Sequence, residues 1–377
     1  MSSSEIAAAP VSRTGPRVIQ NQTPERGIFI NFPDRYLKSR LYWMPLKKKA
    51  TILSLYFDPP PPSFFHSRRM PGPLKLLYKQ SLKENSQADV LLSGKGLVHV
   101  WNLNTRRAES VLDGHAGASV IWLSTVRSTN TFLSQGRDMQ VCVWDLHEGR
   151  RTAANTLPTG SVGFCQCCLL ESEGNKTLIA LPAENMEEIK VMELASQRPV
   201  CSLLPDHKHG MLMCMKMWQT DAGPLLCAGY EDGSLVIWDV SCRRPVSCLN
   251  VHPEPVMSLD FDSSRQKGIS GSSDKNLCSW RLDEQQKLEI QDSVPIRNPG
   301  VSHLRIRSDR KIVATAGWDG SVRIFSWKKL KPLAVLHHHK DLVHSVDFSD
   351  HPEPSKRLMA AGSKDQRISL WSIYTES

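Results

Sequence analysis

The chain has 377 residues, 40% hydrophobic and 23% charged, which is enough apolar material for two ordinary domains or one large β structure. No run of about 18 apolar residues occurs, so no membrane span is expected, and the opening "MSSSEIAAAPVSRTG" lacks the basic start and apolar block of a secretory signal. The net charge of +9 does not argue for a nucleic-acid-binding body, because residues 1–80 hold 13 Lys and Arg against 4 Asp and Glu and leave 34 of each sign in the remainder.

Residues 1–58 carry no repeat and no periodicity. Pro10, Pro16, Pro24, Pro33 and Pro45 interrupt them, and they are expected to form a disordered basic extension. The stretch "RYLKSRLYWMPLKKKATILSLYF" leaves open a contact with an acidic partner or a membrane surface. After Pro59–Pro62, Ser63 to Ser67 form a short candidate strand. "PLKLLYKQ" (73–80) and "ADVLLSG" (88–94) follow as two more.

From there one hairpin recurs. It reads "SQGRDMQVCVWDL" at 134–146, "AGYEDGSLVIWDV" at 228–240, "SGSSDKNLCSWRL" at 270–282, "TAGWDGSVRIFSW" at 315–327 and "AAGSKDQRISLWSI" at 360–373. In the copy at 228–240, Asp232-Gly233 supplies the positive φ of a tight turn. Leu235 to Trp238 then return as a near-continuous apolar strand, a pattern that implies burial on both faces. The closing residues Trp101, Trp144, Met192, Trp238, Trp280, Phe325 and Trp371 are spaced by 43, 48, 46, 42, 45 and 46 residues. The segments between supply two more strands per repeat. Inner strands read at 118–126, 161–170, 211–219, 255–263, 301–309 and 342–350, and an outer strand reads at 243–252.

None of this carries obvious catalytic chemistry. The ten cysteines lie mostly in apolar runs, as free thiols do in a reducing compartment. The location expected from this is the cytoplasm, with the nucleus as a second site. "CQCC" (165–168) lacks a second pair at zinc spacing, and "HHHK" (337–340) reads as a loop between repeats, so no metal or other cofactor is expected. A His, an Asp and a Ser recur at fixed spacing, but in several copies, whereas an active site is single. No G-x-S-x-G or phosphate-binding glycine loop is present, and the protein is expected not to be an enzyme.

A period of about 40–45 residues with a Trp-Asp ending resembles the WD-repeat family. The resemblance is carried by "VWDL" (143–146), "IWDV" (237–240) and their counterparts, over roughly residues 63–374. It implies an all-β, seven-bladed β-propeller over residues 59–377. Because the chain stops after the third strand of blade seven, it also implies closure by an N-terminal strand, for which Ser63 to Ser67 are the candidates. The family's buried network of His, hydroxyl, Asp and Trp maps fully onto His115, Ser134, Asp138 and Trp144, and onto His252, Ser270, Asp274 and Trp280. Blade six keeps Thr315 and Asp319 but has Phe325 for Trp and no His. Blade seven has His339, Asp365 and Trp371 but Ala361 at the hydroxyl position, and blade three has neither turn Asp nor Trp.

By the same resemblance, the residues before the turn Asp face the top of the ring as a candidate partner-binding surface: Arg137, Glu231, Ser273, Trp318 and Lys364. The wider similarity is to G protein β subunits. Prolines break any heptad in the N-terminal region, so no γ subunit is expected. Segments such as "GLVHVWNLNTRRAESVLDGH" (96–115) and "DRKIVATAGWD" (309–319) are similar to a β-like branch of that family. Membership implies a non-enzymatic scaffold or adaptor for protein–protein interaction, working with the co-chaperone machinery that matures phosphatidylinositol 3-kinase-related kinases. The alternatives are a G protein β-like signalling subunit, or a reader of a peptide or histone tail at the central opening. A methyl-lysine reader needs an aromatic cage, and Trp318 and Tyr230 are the aromatics beside the turns.

Overall fold

A computed structural model describes residues 27–31, 38–45, 51–55, 76–79, 89–94, 96–102, 107–126, 131–145, 151–161, 163–172, 176–350 and 357–373. Every regular element among them is a strand.

The first three strands fall in the extension expected to be disordered. β1 (Gly27–Asn31), β2 (Lys38–Pro45) and β3 (Thr51–Leu55) pair antiparallel in that order. Pro45 is the last residue of β2, a position where the missing N–H is tolerated.

Six four-stranded antiparallel sheets and one of three strands follow, each an up-and-down meander. Blade one is β4 (Leu76–Lys79), β5 (Asp89–Gly94), β6 (Leu97–Asn102) and β7 (Arg107–Asp113). Blade two is β8 (Val120–Thr125), β9 (Thr131–Gly136), β10 (Gln140–Asp145) and β11 (Asn155–Pro158). Blade three is β12 (Cys168–Glu171), β13 (Thr177–Pro182), β14 (Ile189–Glu193) and β15 (Pro199–Leu203). Blade four is β16 (Leu212–Thr220), β17 (Gly223–Tyr230), β18 (Ser234–Asp239) and β19 (Arg244–Asn250). Blade five is β20 (Val256–Asp262), β21 (Lys267–Ser272), β22 (Asn276–Leu282) and β23 (Leu288–Pro295). Blade six is β24 (Val301–Ile306), β25 (Ile312–Gly317), β26 (Ser321–Ser326) and β27 (Pro332–His337). Blade seven is β28 (Val343–Phe348), β29 (Leu358–Ser363) and β30 (Ile368–Ser372).

The inner strands meet around an axis. β12 lies against β16, β16 against β20, β20 against β24 and β24 against β28, β4 touches both β28 and β8, and blades two and three share an apolar cluster that includes Trp122 and Ile179, which closes the ring. The seventh sheet is one strand short, and β3 lies against its last strand, β30. The expected closure strand, Ser63 to Ser67, lies outside the described residues.

Packing follows from period-two alternation. In β18, Val236 and Trp238 face blade three, among Leu178, Ala180 and Val191. Leu235 and Ile237 face blade five, among Leu259, Phe261 and Trp280. Each fully buried Leu, Ile or Val contributes about 1.5–3 kcal/mol of transfer free energy, so a blade is stable only between neighbours. The turn between β17 and β18 needs Gly233, at φ +85°, since a Cβ there would run into the carbonyl of His252.

Blade three departs from the expected inner strand at 161–170, of which only Cys168–Glu171 is strand. The buried side chain of Gln135, reaching over from β9, accounts for this. Its Nε2 donates to the Cys165 carbonyl (3.1 Å) and its Oε1 accepts from Cys167 N–H (2.9 Å). Those backbone groups are thereby satisfied without a partner strand.

Candidate functional site

In blades two, four, five and seven a row of side chains is registered across the strands, and a histidine from the loop leading into the blade reaches that row. In blade two the row is Ser134, Cys142 and Thr156. His115 Nδ1 donates to both carboxylate oxygens of Asp138 at 3.0 Å, which leaves Nε2 as acceptor. Ser134 Oγ–H donates to that nitrogen (2.7 Å) and accepts from the Trp144 indole N–H (2.8 Å). All four expected residues are joined.

Blade five brings its four residues near one another but joins fewer. His252 Nε2 meets Ser270 Oγ at 2.8 Å, while Nδ1 stands 3.6 Å from Asp274. Asp274 instead accepts from the Asn276 N–H at 2.7 Å. Trp280 stacks on Phe261 (centroids 5.6 Å apart), which stacks in turn on Trp218 (4.0 Å). The Trp280 N–H has no hydrogen-bond partner among the described residues.

Blade seven corrects the expectation of a missing hydroxyl. Ala361 is registered directly opposite Ser369 on β30, and Ser369 supplies the oxygen from across the strand pair. Ser369 Oγ–H donates to His339 Nε2 (2.9 Å) and accepts from Trp371 (2.7 Å). His339 Nδ1 donates to Asp365 at 3.2 and 3.3 Å. In blade six, Arg323 takes the histidine's part. Its Nη2 lies 2.5 Å and its Nη1 3.1 Å from the two Asp319 oxygens, and Asn298 Nδ2 donates to the same carboxylate at 2.7 Å. Burial disfavours the charge, but these bonds outweigh it and hold the Asp319 carboxyl at about 2. These networks tie the turn carboxylates of blades two, six and seven to side chains of their own blades or entry loops.

The residues expected on the top face fall into two groups. Arg137 and Trp318 line a central cavity of about 740 Å³. Glu231, Ser273 and Lys364 are not on its wall. Glu231 is turned back, accepting from the Met211 N–H at 3.0 Å. Ser273 is half-buried, and Lys364 is exposed with its Nζ 3.6 Å from Asp341. Trp318 is 41% exposed although its ring lies on Gly300. Gly300 has φ +91°, and a Cβ there would collide with the indole. Tyr230 is fully buried and cannot serve an aromatic cage.

Sequence reasoning missed Phe164, which is 56% exposed and lies under the Arg137 guanidinium, 5.3 Å from ring centroid to Cζ. It sits in "SVGFCQCC", which reads as inner strand, so only its displacement from the sheet brings it to the surface. Phe164 and Trp318 come from blades three and six, and Met213 and Met257 add apolar wall between them. Below this mouth runs an alternating charge belt at the same level of four successive inner strands. Lys216 Nζ lies 2.8 Å from Asp260, and Arg305 Nε lies 3.5 Å from Asp347. Burial works against the Asp260 charge, but Lys216 and Arg305 hold its carboxyl below the ordinary range. The cavity therefore offers an apolar, aromatic mouth with the exposed Arg137, over a belt of paired charges.

Comparison with known proteins agrees with this architecture. The family pattern described as "WD domain, G-beta repeat" matches residues 197–239, 243–281, 295–326 and 330–372. The chain is 44% identical over 328 residues to guanine nucleotide-binding protein subunit beta-like protein 1 of Mus musculus, covering 85% of this chain and 99% of that one. It is 26% identical over 421 residues to ASTRA-associated protein 1 of Penicillium rubens, covering 79% and 93%. It is 35% identical over 186 residues to the protein of that name from Schizosaccharomyces pombe, covering 44% and 49%.

Proposed function

The chain belongs to the WD-repeat family, in the branch that holds the mouse beta-like protein 1, and from that premise we propose that it is a non-enzymatic adaptor for protein complexes. The observation that carries the reading is the channel mouth, where Trp318 and Phe164 stand exposed on one cavity wall, with the Arg137 guanidinium over the Phe164 ring. Aromatic and Arg side chains are enriched among the residues that dominate binding energy. An exposed cation speeds encounter with acidic segments.

The fungal relatives are named as associated with ASTRA, and the branch resemblance implies work with the co-chaperone machinery of phosphatidylinositol 3-kinase-related kinases. We assign this chain the same role, that of holding a co-chaperone assembly and an immature kinase together. Acute depletion of the protein tests this. Steady-state levels of these kinases fall several-fold while their transcripts stay constant. Unchanged kinase levels after depletion would contradict the assignment.

A further inference from the structure

Blade four breaks the network pattern in a way that builds a different site. Its row is Ala228, Val236 and Cys248, registered side by side on β17, β18 and β19. Neither of the first two positions offers a hydroxyl, so the histidine that enters this blade meets its row at the outermost strand. His209 Nδ1 lies 2.8 Å from the Asp232 carboxylate and Nε2 lies 3.8 Å from Cys248 Sγ. Asp232 is itself held by the Ser234 N–H (2.9 Å) and Ser234 Oγ (3.0 Å). The histidine side chain is mostly buried, and Cys248 is one of two exposed cysteines.

A nucleophile, a base facing it and a third group orienting that base form the arrangement that activates weak nucleophiles. We propose that Cys248 is a reactive thiol, with His209 as its general base and Asp232 as positioning residue, and that it is modified by low-molecular-weight disulfides. In the step, Cys248 Sγ attacks one sulfur of the disulfide while its proton passes to His209 Nε2. The incoming S–S bond breaks, the departing thiolate keeps the electron pair and takes the proton from His209, and a mixed disulfide remains on Cys248. One disulfide is consumed and one formed, so no further oxidant enters. Partial burial and the Asp232 charge push the Cys248 thiol up from its ordinary value, so the reaction depends on the base rather than on a standing thiolate. The adduct sits on the outer strand of blade four and leaves the channel wall untouched.

Cys242, the other exposed cysteine, is an internal comparison, since it sits beside Asp239 instead. The full-length chain is incubated with oxidised glutathione at neutral pH, and adducts are located by mass spectrometry at early times. Cys248 gains the adduct about tenfold or more faster than Cys242. His209→Gln removes that advantage at an unchanged melting temperature, and Cys248→Ser removes the fast adduct. Equal rates at Cys248 and Cys242 in the unaltered chain would overturn the proposal, and that comparison stands even where a variant fails to fold. An undiminished rate in folded His209→Gln would overturn it too.

Discussion

At the residue scale, the recurring histidine meets whichever position of its row carries a hydrogen-bonding atom: Ser134 on a second strand, Ser369 on a third, Cys248 on a fourth. The reading is testable by moving the hydroxyl. Ser369→Ala leaves His339 Nε2 and the Trp371 N–H unpaired and costs about 2–3 kcal/mol in urea melts. Adding Ala361→Ser, which returns the oxygen to the directly opposed position, recovers at least half of the loss. No recovery would mean the row is not interchangeable. In blade three, where Asn185 holds only the Glu187 N–H at 3.2 Å, Asn185→Ala costs under about 0.5 kcal/mol.

The same groups set the response to acid. The Asp365 carboxyl is at about 2, because bonds from His339 and the Lys340 N–H outweigh its burial, and Asp319 stands at the same value. The unfolded chain takes up these protons first, near the ordinary carboxylate value. The stability they contribute is complete above about pH 4 and disappears toward pH 2. His338 acts earlier. Burial, then the neighbouring His339, holds its imidazole at about 4, so the unfolded chain protonates it first and stability falls as pH drops from about 6.5 to 4. Urea midpoints should therefore decline in two stages on acidification. A midpoint that rises between pH 6.5 and 4 would contradict the assignment.

At the element scale, the blades were legible because two signals coincide, the period of the closing residues and the alternation that buries both faces. Even the degenerate third blade takes its place in phase, with Met192 buried where the other blades have Trp or, in blade six, Phe325. What was not legible depends on contacts between elements distant in sequence. Gln135 reaching 30 residues ahead to replace part of an inner strand is one case. Phe164 brought to the channel mouth by that replacement is another. Ser369 standing in for Ala361 could have been found, since cross-strand register follows once the turn is placed.

Closure lies at this scale as well. β3 (Thr51–Leu55) runs beside β30 among the described strands, while the segment at 63–67 lies outside them. Deleting residues 1–48 should leave a cooperatively melting protein. Deleting 1–58 should expose the edge of β30, lower the melting temperature and cause aggregation. Equal melting of the two truncations would show that another segment closes the ring.

At the scale of the whole molecule, the turn carboxylates Asp138, Asp319 and Asp365 are tied up within their own blades. The four-strand charge belt, Lys216, Asp260, Arg305 and Asp347, is paired within the cavity, and recognition is assigned to the mouth above it. Exposed Val246, Ile290 and Leu333 lie singly on outer strands, a distribution ordinary for a protein surface. Phe164, Arg137 and Trp318 share one cavity wall. The most direct measurement is co-purification of the main protein partner with the Phe164→Ala, Arg137→Glu, Trp318→Ala triple variant, set beside its melting temperature. The account predicts loss of the partner with melting within a few degrees of the unaltered chain. Full retention of the partner by the folded triple variant would contradict it and move the working surface from the channel mouth to the rim.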